Sequence, residues 1–211
     1  MTDEIQVPAP LPRGPDGRST GIDSGLGVPD WMASNLNFCS RCGSRLRFGS
    51  IDGEDRHRLA CDSCGFIAYV NPRLVVSTIP VLRDGRVVLL RRAIEPGLGW
   101  WAQPGGYLEV DETVTEGAVR ETLEETGLVV RPTEIVGLYS RLEAAVVVLA
   151  FEAEVVGGNM QPTAEALAVE AFDAEAIPWS GIAFNTTYWA LHDWLRLRHP
   201  DLAAGPAPAW S

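Results

Sequence analysis

Lysine is absent from this chain: all 17 basic residues among its 211 are arginine, against 28 acidic residues, giving a formal net charge of −11. So little positive charge disfavours non-specific binding to DNA, RNA or an anionic membrane, because these surfaces are held by clustered cations. Long apolar runs are missing too, and no stretch approaches the ~18 consecutive apolar residues of a membrane-spanning helix. Histidine is scarce, and His57, His192 and His199 lie too far apart in sequence to show ligand spacing. The first 37 residues carry Pro, Gly and acidic residues and no apolar segment of the secretory kind, so a cytoplasmic chain is expected. Reduced thiols suit that compartment.

Cysteine is limited to four residues, and they are ordered: Cys39-Ser-Arg-Cys42 and Cys61-Asp-Ser-Cys64, with 18 residues between the pairs. Two matched CxxC turns, each followed by glycine (Gly43, Gly65), read as knuckles presenting four thiolates to a tetrahedral structural Zn2+. Two disulfides would need an oxidising compartment, and a redox CxxC leaves the second copy without a purpose. Six arginines between residues 38 and 74 face Asp52, Glu54, Asp55 and Asp62. With four thiolates and Zn2+ added, this segment is close to neutral. Nucleic acid is therefore not the expected partner, and the expected role of the ribbon is to stabilise the N-terminus of the larger domain after it.

Residues 113 to 127, within that larger domain, are the most informative. Thr113 to Thr126 holds no proline and one glycine, with Val114, Ala118 and Val119 suited to one helix face. Thr113 or Asp111 can cap its start, and Gly127 stands where a left-handed terminal residue belongs. On that helix Glu121, Glu124 and Glu125 fall at i, i+3 and i+4, on one face. Three like charges there repel unless a cation neutralises them, and all-oxygen ligands select hard ions such as Mg2+ or Mn2+. A solvated acidic helix face is the plainer alternative.

Residues 106 to 128 fit the pattern G-x5-E-x7-R-E-U-x-E-E-x-G-U, U being a bulky aliphatic, at every fixed position except Thr122. That pattern is the Nudix box, and the chain resembles a Nudix hydrolase, a family that cleaves diphosphates linked to another moiety with divalent cations. The resemblance implies an α/β (α+β) domain, an α/β/α sandwich with a mixed sheet, preceded here by the four-cysteine ribbon. It also implies an ion pair between Arg120 and Glu112, metal binding by Glu121, Glu124, Glu125 and the Gly105 carbonyl, and a homodimer. Gly105-Gly106 reads as a tight turn admitting metal and phosphate. Leu123 is expected to fill part of the volume lost at Thr122. The resemblance also points to a further Glu before the C-terminal helix as metal ligand or general base; Ala168 occupies the usual place and Glu165 and Glu170 are nearest, with Glu121, Glu124 or Glu125 as the alternative base.

A ribbon directly before the domain resembles the zinc-containing NADH pyrophosphatases. Residues 64 to 76, 104 to 110, 120 to 127 and 177 to 184 are more similar to FAD/ADP-ribose pyrophosphatases. The SQPWPFPxS motif of the NADH subgroup is missing, and Ser140 to Phe151 reads as a hydrophobic strand instead. The substrate expected is therefore a nucleoside diphosphate derivative, ADP-ribose or FAD before NADH.

The expected organisation is a loose tail over residues 1 to 36 with Trp31 and Met32 near its end, the ribbon at 37 to 70, the hydrolase domain at 71 to 200, and a loose end at 201 to 211. Strands are expected at Leu74 to Leu82 and Arg86 to Arg92 around an Asp84-Gly85 turn, then at Ile135 to Leu142 and Ala144 to Val156. A helix over residues 181 to 198 carries Phe184, Tyr188, Trp189, Leu191, Trp194 and Leu195 as a core or dimer stripe. Trp100 and Trp101 are candidates to stack a base or flavin, with core packing as the alternative. Arg91 and Arg92 are candidates for substrate phosphate, while Arg141 reads as surface charge.

Overall fold

The structure, a computed structural model, describes residues 35 to 202 and 204 to 206. The expected N-terminal tail, with Trp31 and Met32, lies outside the described residues apart from Asn35 and Leu36, as do residue 203 and residues 207 to 211 of the expected loose end. By contacts the chain divides into two compact units, one ending at Asn71 and also holding Leu142–Ala145, the other comprising Pro72–Arg141 and Val146 onward.

The first unit contains a three-stranded antiparallel sheet of β1 (Arg47–Gly49), β2 (Arg58–Ala60) and β3 (Ile67–Ala68). Gly43 N–H bonds to Cys39 O and Gly65 N–H to Cys61 O, both at 2.9 Å, closing the two knuckles. Both glycines have left-handed backbone, φ 75 and 70, which L side chains resist.

The second unit is built on a mixed sheet, ordered β10-β5-β4-β9-β8, from β4 (Arg73–Val81), β5 (Val87–Arg92), β8 (Leu128–Arg141), β9 (Val146–Gly158) and β10 (Ala166–Phe172). Two short strands join it: β6 (Trp101–Ala102) beside β5 and β7 (Gly105–Tyr107) beside β4. The β4–β9 pairing is parallel, and the neighbouring pairs are antiparallel.

Helix α1 (Val114–Thr126) packs Ala118 against Val76 and Phe151, and Val119 against a cluster of Val88, Leu128, Val130 and Ala153. Side chains alternate across a strand, so Glu152 points to the opposite face from Phe151 and Ala153. There it accepts from Trp194 Nε1 at 2.8 Å and Arg198 Nε at 2.8 Å, both on α2 (Asn185–Arg198). The helices thus cover opposite faces, the expected α/β/α sandwich. Within α2, Leu191, Trp194 and Leu195 are almost fully buried, so this part of the aromatic stripe is core. Among the described residues no helix is long and apolar enough to cross a membrane.

Four expectations need correction. Strand β8 starts at Leu128 rather than Ile135, because pairing with β9 carries it through Arg131, Pro132 and Glu134 with register shifts that absorb the broken alternation. Residues 140 to 151 are not one strand: β8 ends at Arg141, and a turn with Ala145 at φ 49 precedes β9. β10 was not expected at all, since Ala166, Ala168 and Ala171 have little strand preference. The last helix begins at Asn185, because Trp179–Gly181 forms a 3-10 turn and Ile182 bridges to Trp101.

Candidate functional site

Local rules set α1. Thr113 is its N-cap in a full capping box: Glu116 N–H bonds to Thr113 Oγ1 at 3.3 Å and Thr113 N–H to Glu116 Oε2 at 2.8 Å. Gly127 closes the helix in the left-handed conformation, φ 74. Between these ends Glu121, Glu124 and Glu125 take the one-sided arrangement expected of them, in graded environments. Glu125 is only 7% exposed, Glu121 is half-buried and Glu124 is exposed.

Glu125 accepts from Gly105 N–H at 2.8 Å, which ties the helix to β7. Burial pushes its carboxyl up to about 7; the Gly105 bond and the Arg92 charge oppose this, and the charges of Glu121 and Glu165 reinforce it. Burial also raises Glu121, against the pull of Arg120. Gly105 and Gly106 are not a turn but strand residues paired with Ser77 and Val76. Their need for glycine is close approach: a Cβ at Gly106 would lie 2.5 Å from the Glu121 carboxylate.

The Arg120–Glu112 pair forms as a fork, with Nη2 to Oε1 at 2.6 Å and Nε to Oε2 at 2.9 Å. Arg120 Nη1 reaches Glu121 Oε1 at 2.7 Å and Glu124 Oε2 at 3.2 Å, and Nη2 also donates to Tyr107 O at 3.2 Å. Its guanidinium is therefore fully used, and it holds the Glu112 carboxyl down at about 2, helped by the Glu109 N–H.

These residues fit a hard divalent cation. The donors are carboxylate oxygens, and among the described residues the Glu125 carboxylate accepts a hydrogen bond only from Gly105 N–H and forms no salt bridge.

The two outlying carboxylates separate. Glu165 is exposed just before β10, and its charge acts on Glu121, Glu125 and Arg92. Its carbonyl accepts from Ala93 N–H at 2.8 Å, and the nearby Thr163 Oγ1 donates to Glu125 O at 3.4 Å. Glu170 lies further along β10, opposite Leu89, and exposed. Arg91 is exposed and donates to Gly99 O at 2.8 Å. Arg92, at the end of β5, is half-buried and donates to Pro96 O at 2.8 Å. Trp100 is 40% exposed, whereas Trp101 sits on β6, edge-on to Phe172 with centroids 5.0 Å apart.

Sequence reasoning missed the polar layer beneath the helix. Thr122 is fully buried, and its hydroxyl donates to Ala118 O at 2.7 Å, so the Thr78 hydroxyl, 2.7 Å away, donates to it. Leu123 is 46% exposed and fills nothing; Thr78 is the compensation. Thr78 N–H bonds to Pro104 O at 3.0 Å, one residue before the Gly105 N–H that holds Glu125. The departure from the aliphatic pattern at Thr122 was the available signal, but its partner lies 44 residues away.

In the other unit the four cysteine sulfurs lie within 4.8 Å of one another. Cys39 and Cys64 sulfurs are 3.7 Å apart and those of Cys42 and Cys61 3.4 Å. A tetrahedral ion with Zn–S bonds of ~2.3 Å needs sulfurs about 3.8 Å apart. Ser44 backbone and hydroxyl donors lower the Cys42 thiol to about 6. Cys64, although lowered by the Phe66 N–H, is pushed up to about 12 by burial and the neighbouring thiols. Four close sulfurs cannot all ionise without a cation, so the cluster fits Zn2+ (Cys39, Cys42, Cys61, Cys64).

Comparison with known proteins covers both parts of the chain. The NUDIX domain model matches residues 71–192 and the Nudix N-terminal model residues 37–70. The chain is 34% identical over 114 residues to an ADP-ribose pyrophosphatase of Methanocaldococcus jannaschii, covering 52% of this chain and 67% of that protein. It is 31% identical over 160 residues to the NAD-capped RNA hydrolase NudC of Pseudomonas aeruginosa, covering 75% of this chain and 54% of that protein. It thus spans only about half the length of NudC. A crystal structure of a NUDIX hydrolase from Nitrosomonas europaea superimposes with a TM-score of 0.74 at 34% identity, covering 82% of this chain and 98% of the other.

Proposed function

The chain belongs to the Nudix family, and from that premise we propose that it hydrolyses the diphosphate bond of a nucleoside diphosphate derivative, ADP-ribose or FAD before NADH. The products are a nucleoside monophosphate and a phosphorylated partner. The observation that carries this reading is the graded trio Glu121, Glu124 and Glu125, fixed against β7 by the Gly105 N–H and faced by Glu165. In support, the M. jannaschii relative is named for ADP-ribose.

Bound Mg2+ (or Mn2+) supplies polarisation of phosphorus, a more acidic water and compensation for charge in the transition state. The trio and the Gly105 carbonyl would hold it. Glu112 and Arg120 position the trio, because the fork at Glu112 leaves Arg120 Nη1 directed at Glu121 and Glu124. Glu165 takes the proton of the attacking water, being exposed beside the trio and within reach of its charge. Glu170 is the less apt base because its strand carries it away from Glu125. Arg91 and Arg92 offer charge to phosphate in an otherwise acidic protein, and Trp100 offers an exposed ring for stacking; Trp101 is the weaker stacking candidate because Phe172 already covers its edge. Residues 37 to 70 serve as a Zn2+-stabilised ribbon for the domain at 71 to 200, in a cytoplasmic homodimer without membrane or nucleic-acid partners.

A second reading, pyrophosphatase action on NADH, is favoured by the NudC match, which is longer than the 71–192 segment. One experiment separates the readings. ADP-ribose, FAD, NADH, NAD, coenzyme A, diadenosine polyphosphates and 8-oxo-dGTP are offered with Mg2+, and products are identified by mass. ADP-ribose or FAD should turn over fastest. Glu124→Gln should lower kcat roughly 100- to 1000-fold, as loss of one stabilising group does elsewhere. Unchanged turnover would show that the trio is not the active site.

A further inference from the structure

The chain continues past α2 and returns along it. Leu202 N–H bonds to His199 O at 2.9 Å as the helix ends. Gly205 O then accepts from the Tyr188 hydroxyl at 3.0 Å, in the first turn of α2. Ten helical residues separate Tyr188 from Arg198, so the segment has come back by about 15 Å at 1.5 Å per residue. The ends of a domain are loose unless something ties them down, and this one is tied. Gly205 lies against the indole of Trp179: a Cβ there would stand 2.4 Å from Cδ1 and 2.5 Å from Cγ, so a side chain is excluded. Tyr188 meets the same indole edge-on, with centroids 5.4 Å apart. Trp179 is left 8% exposed.

From Trp179 the contacts lead to the candidate site. Trp179 opens the 3-10 turn that ends at Gly181. Ile182, fully buried, then bridges Trp101 of β6, and Ala183 N–H bonds to Trp101 O at 2.8 Å. On its other side Trp101 pairs with Arg91 of β5. The strand that follows Trp100 is thus held by the sheet on one side and by residues 179 to 183 on the other. Phe184, next in the chain, meets the Arg92 guanidinium 5.0 Å from its ring centre. Gly105 is different: it pairs with Ser77 of β4, so the bond that anchors Glu125 does not run through Trp179.

We propose that Ala204 to Pro206 form a strap that, through Trp179, positions Trp100 and β6 for the nucleoside half of the substrate. The inference rests on the hydrolase reading and adds Trp179 and Gly205 to it as positioning residues, acting through Trp101. Two anchors follow from the two sets of contacts. The metal-binding carboxylates are fixed by β4 and β7, and the ring offered for stacking is fixed by the chain end. Releasing the strap therefore weakens substrate binding and spares the metal.

The test uses the full chain loaded with Zn2+ and compares G205V, Y188F, W179L and W179L/G205V with wild type. Measured are kcat and KM for ADP-ribose, Mn2+ affinity, thermal unfolding and backbone hydrogen exchange. G205V should raise KM roughly three- to tenfold, the worth of one stacked ring pair, with kcat and Mn2+ affinity within about twofold of wild type. Its exchange should rise at residues 179 to 183 and 100 to 102 and stay unchanged in α1. Y188F removes one hydroxyl and leaves the indole covered, so it should give a smaller change of the same kind. W179L/G205V should raise KM no further than W179L does, because both act through one contact. The proposal is overturned if exchange at residues 100 to 102 is unchanged in G205V, if that exchange rises while KM stays at the wild-type value, if KM rises only in step with loss of Mn2+, or if the two substitutions add. Wild-type protein inert towards every diphosphate offered would overturn the hydrolase reading itself, and the exchange measurement would still show whether the strap holds β6.

Discussion

Replacing Thr122 by valine exchanges a fully buried hydroxyl for a methyl group of similar size at the centre of α1. The Thr78 hydroxyl, also fully buried, then loses its acceptor 2.7 Å away. An unsatisfied buried donor costs about 1–3 kcal/mol, while the added methyl returns about 0.8 kcal/mol. Loss of the bond to Ala118 O adds little, because that carbonyl keeps its place in the helix ladder. T122V should therefore destabilise by about 1–2 kcal/mol, a fall in Tm of roughly 2–8 °C for a chain of this size. T78V should cost less, because the Thr122 hydroxyl keeps its bond to Ala118 O. Removing both hydroxyls leaves no orphan, so T78V/T122V should recover most of the loss. Denaturant unfolding of the four proteins gives the coupling directly. A coupling near zero, or a T122V as stable as wild type, would refute the hydroxyl pair as the reason threonine is accepted at this position.

Other outcomes rest on the same geometry. Glu125 has its carboxyl raised from 4.5 to about 7, so the metal-free fold is penalised as pH rises through that window, by up to roughly 3 kcal/mol. Mg2+ should stabilise the protein more at pH 8 than at pH 6, read as the shift in Tm; equal shifts would contradict the burial argument. Glu112 is shifted the other way, to about 2, so its contribution is present above the ordinary carboxylate range and lost as pH falls towards 2. E112Q should flatten the acid limb of the stability profile. Wild-type protein should carry one Zn2+ per chain by elemental analysis, and C61S should lose it, since four sulfurs within 4.8 Å form one tetrahedral set; full zinc in C61S would remove the assignment. E152A strands the Trp194 indole N–H and should cost about 1–3 kcal/mol in denaturant unfolding.

The helix and the cysteine knuckles were legible from sequence because their rules are local. Thr113 (or Asp111) and Gly127 mark the ends of α1 within a few residues, and i, i+3, i+4 spacing places the glutamates without knowledge of the rest. Each CxxC turn is equally short-range. The parts that stayed hidden depend on chain that returns from afar. Thr122 meets Thr78, Arg92 meets Phe184, and Glu165 rather than Glu170 approaches Glu125, all through pairing that no short window contains. β10 was hidden for another reason: its alanines carry little strand signal, and pairing with β5 supplies what side-chain preference does not. The glycines at 105 and 106 were legible as a requirement but not as its cause, which is close approach of β4 at Gly105 and of the Glu121 carboxylate at Gly106 rather than a turn.

Titration of Mn2+ into wild type and E125Q, followed by paramagnetic resonance and competed with Mg2+, tests most directly whether the α1 carboxylates seat a divalent cation. Wild type should bind and release Mn2+ to Mg2+, and E125Q should bind at least roughly tenfold more weakly, with phosphomonoester release falling alongside. Equal Mn2+ binding and equal turnover in the two proteins would place the metal, and the chemistry, elsewhere.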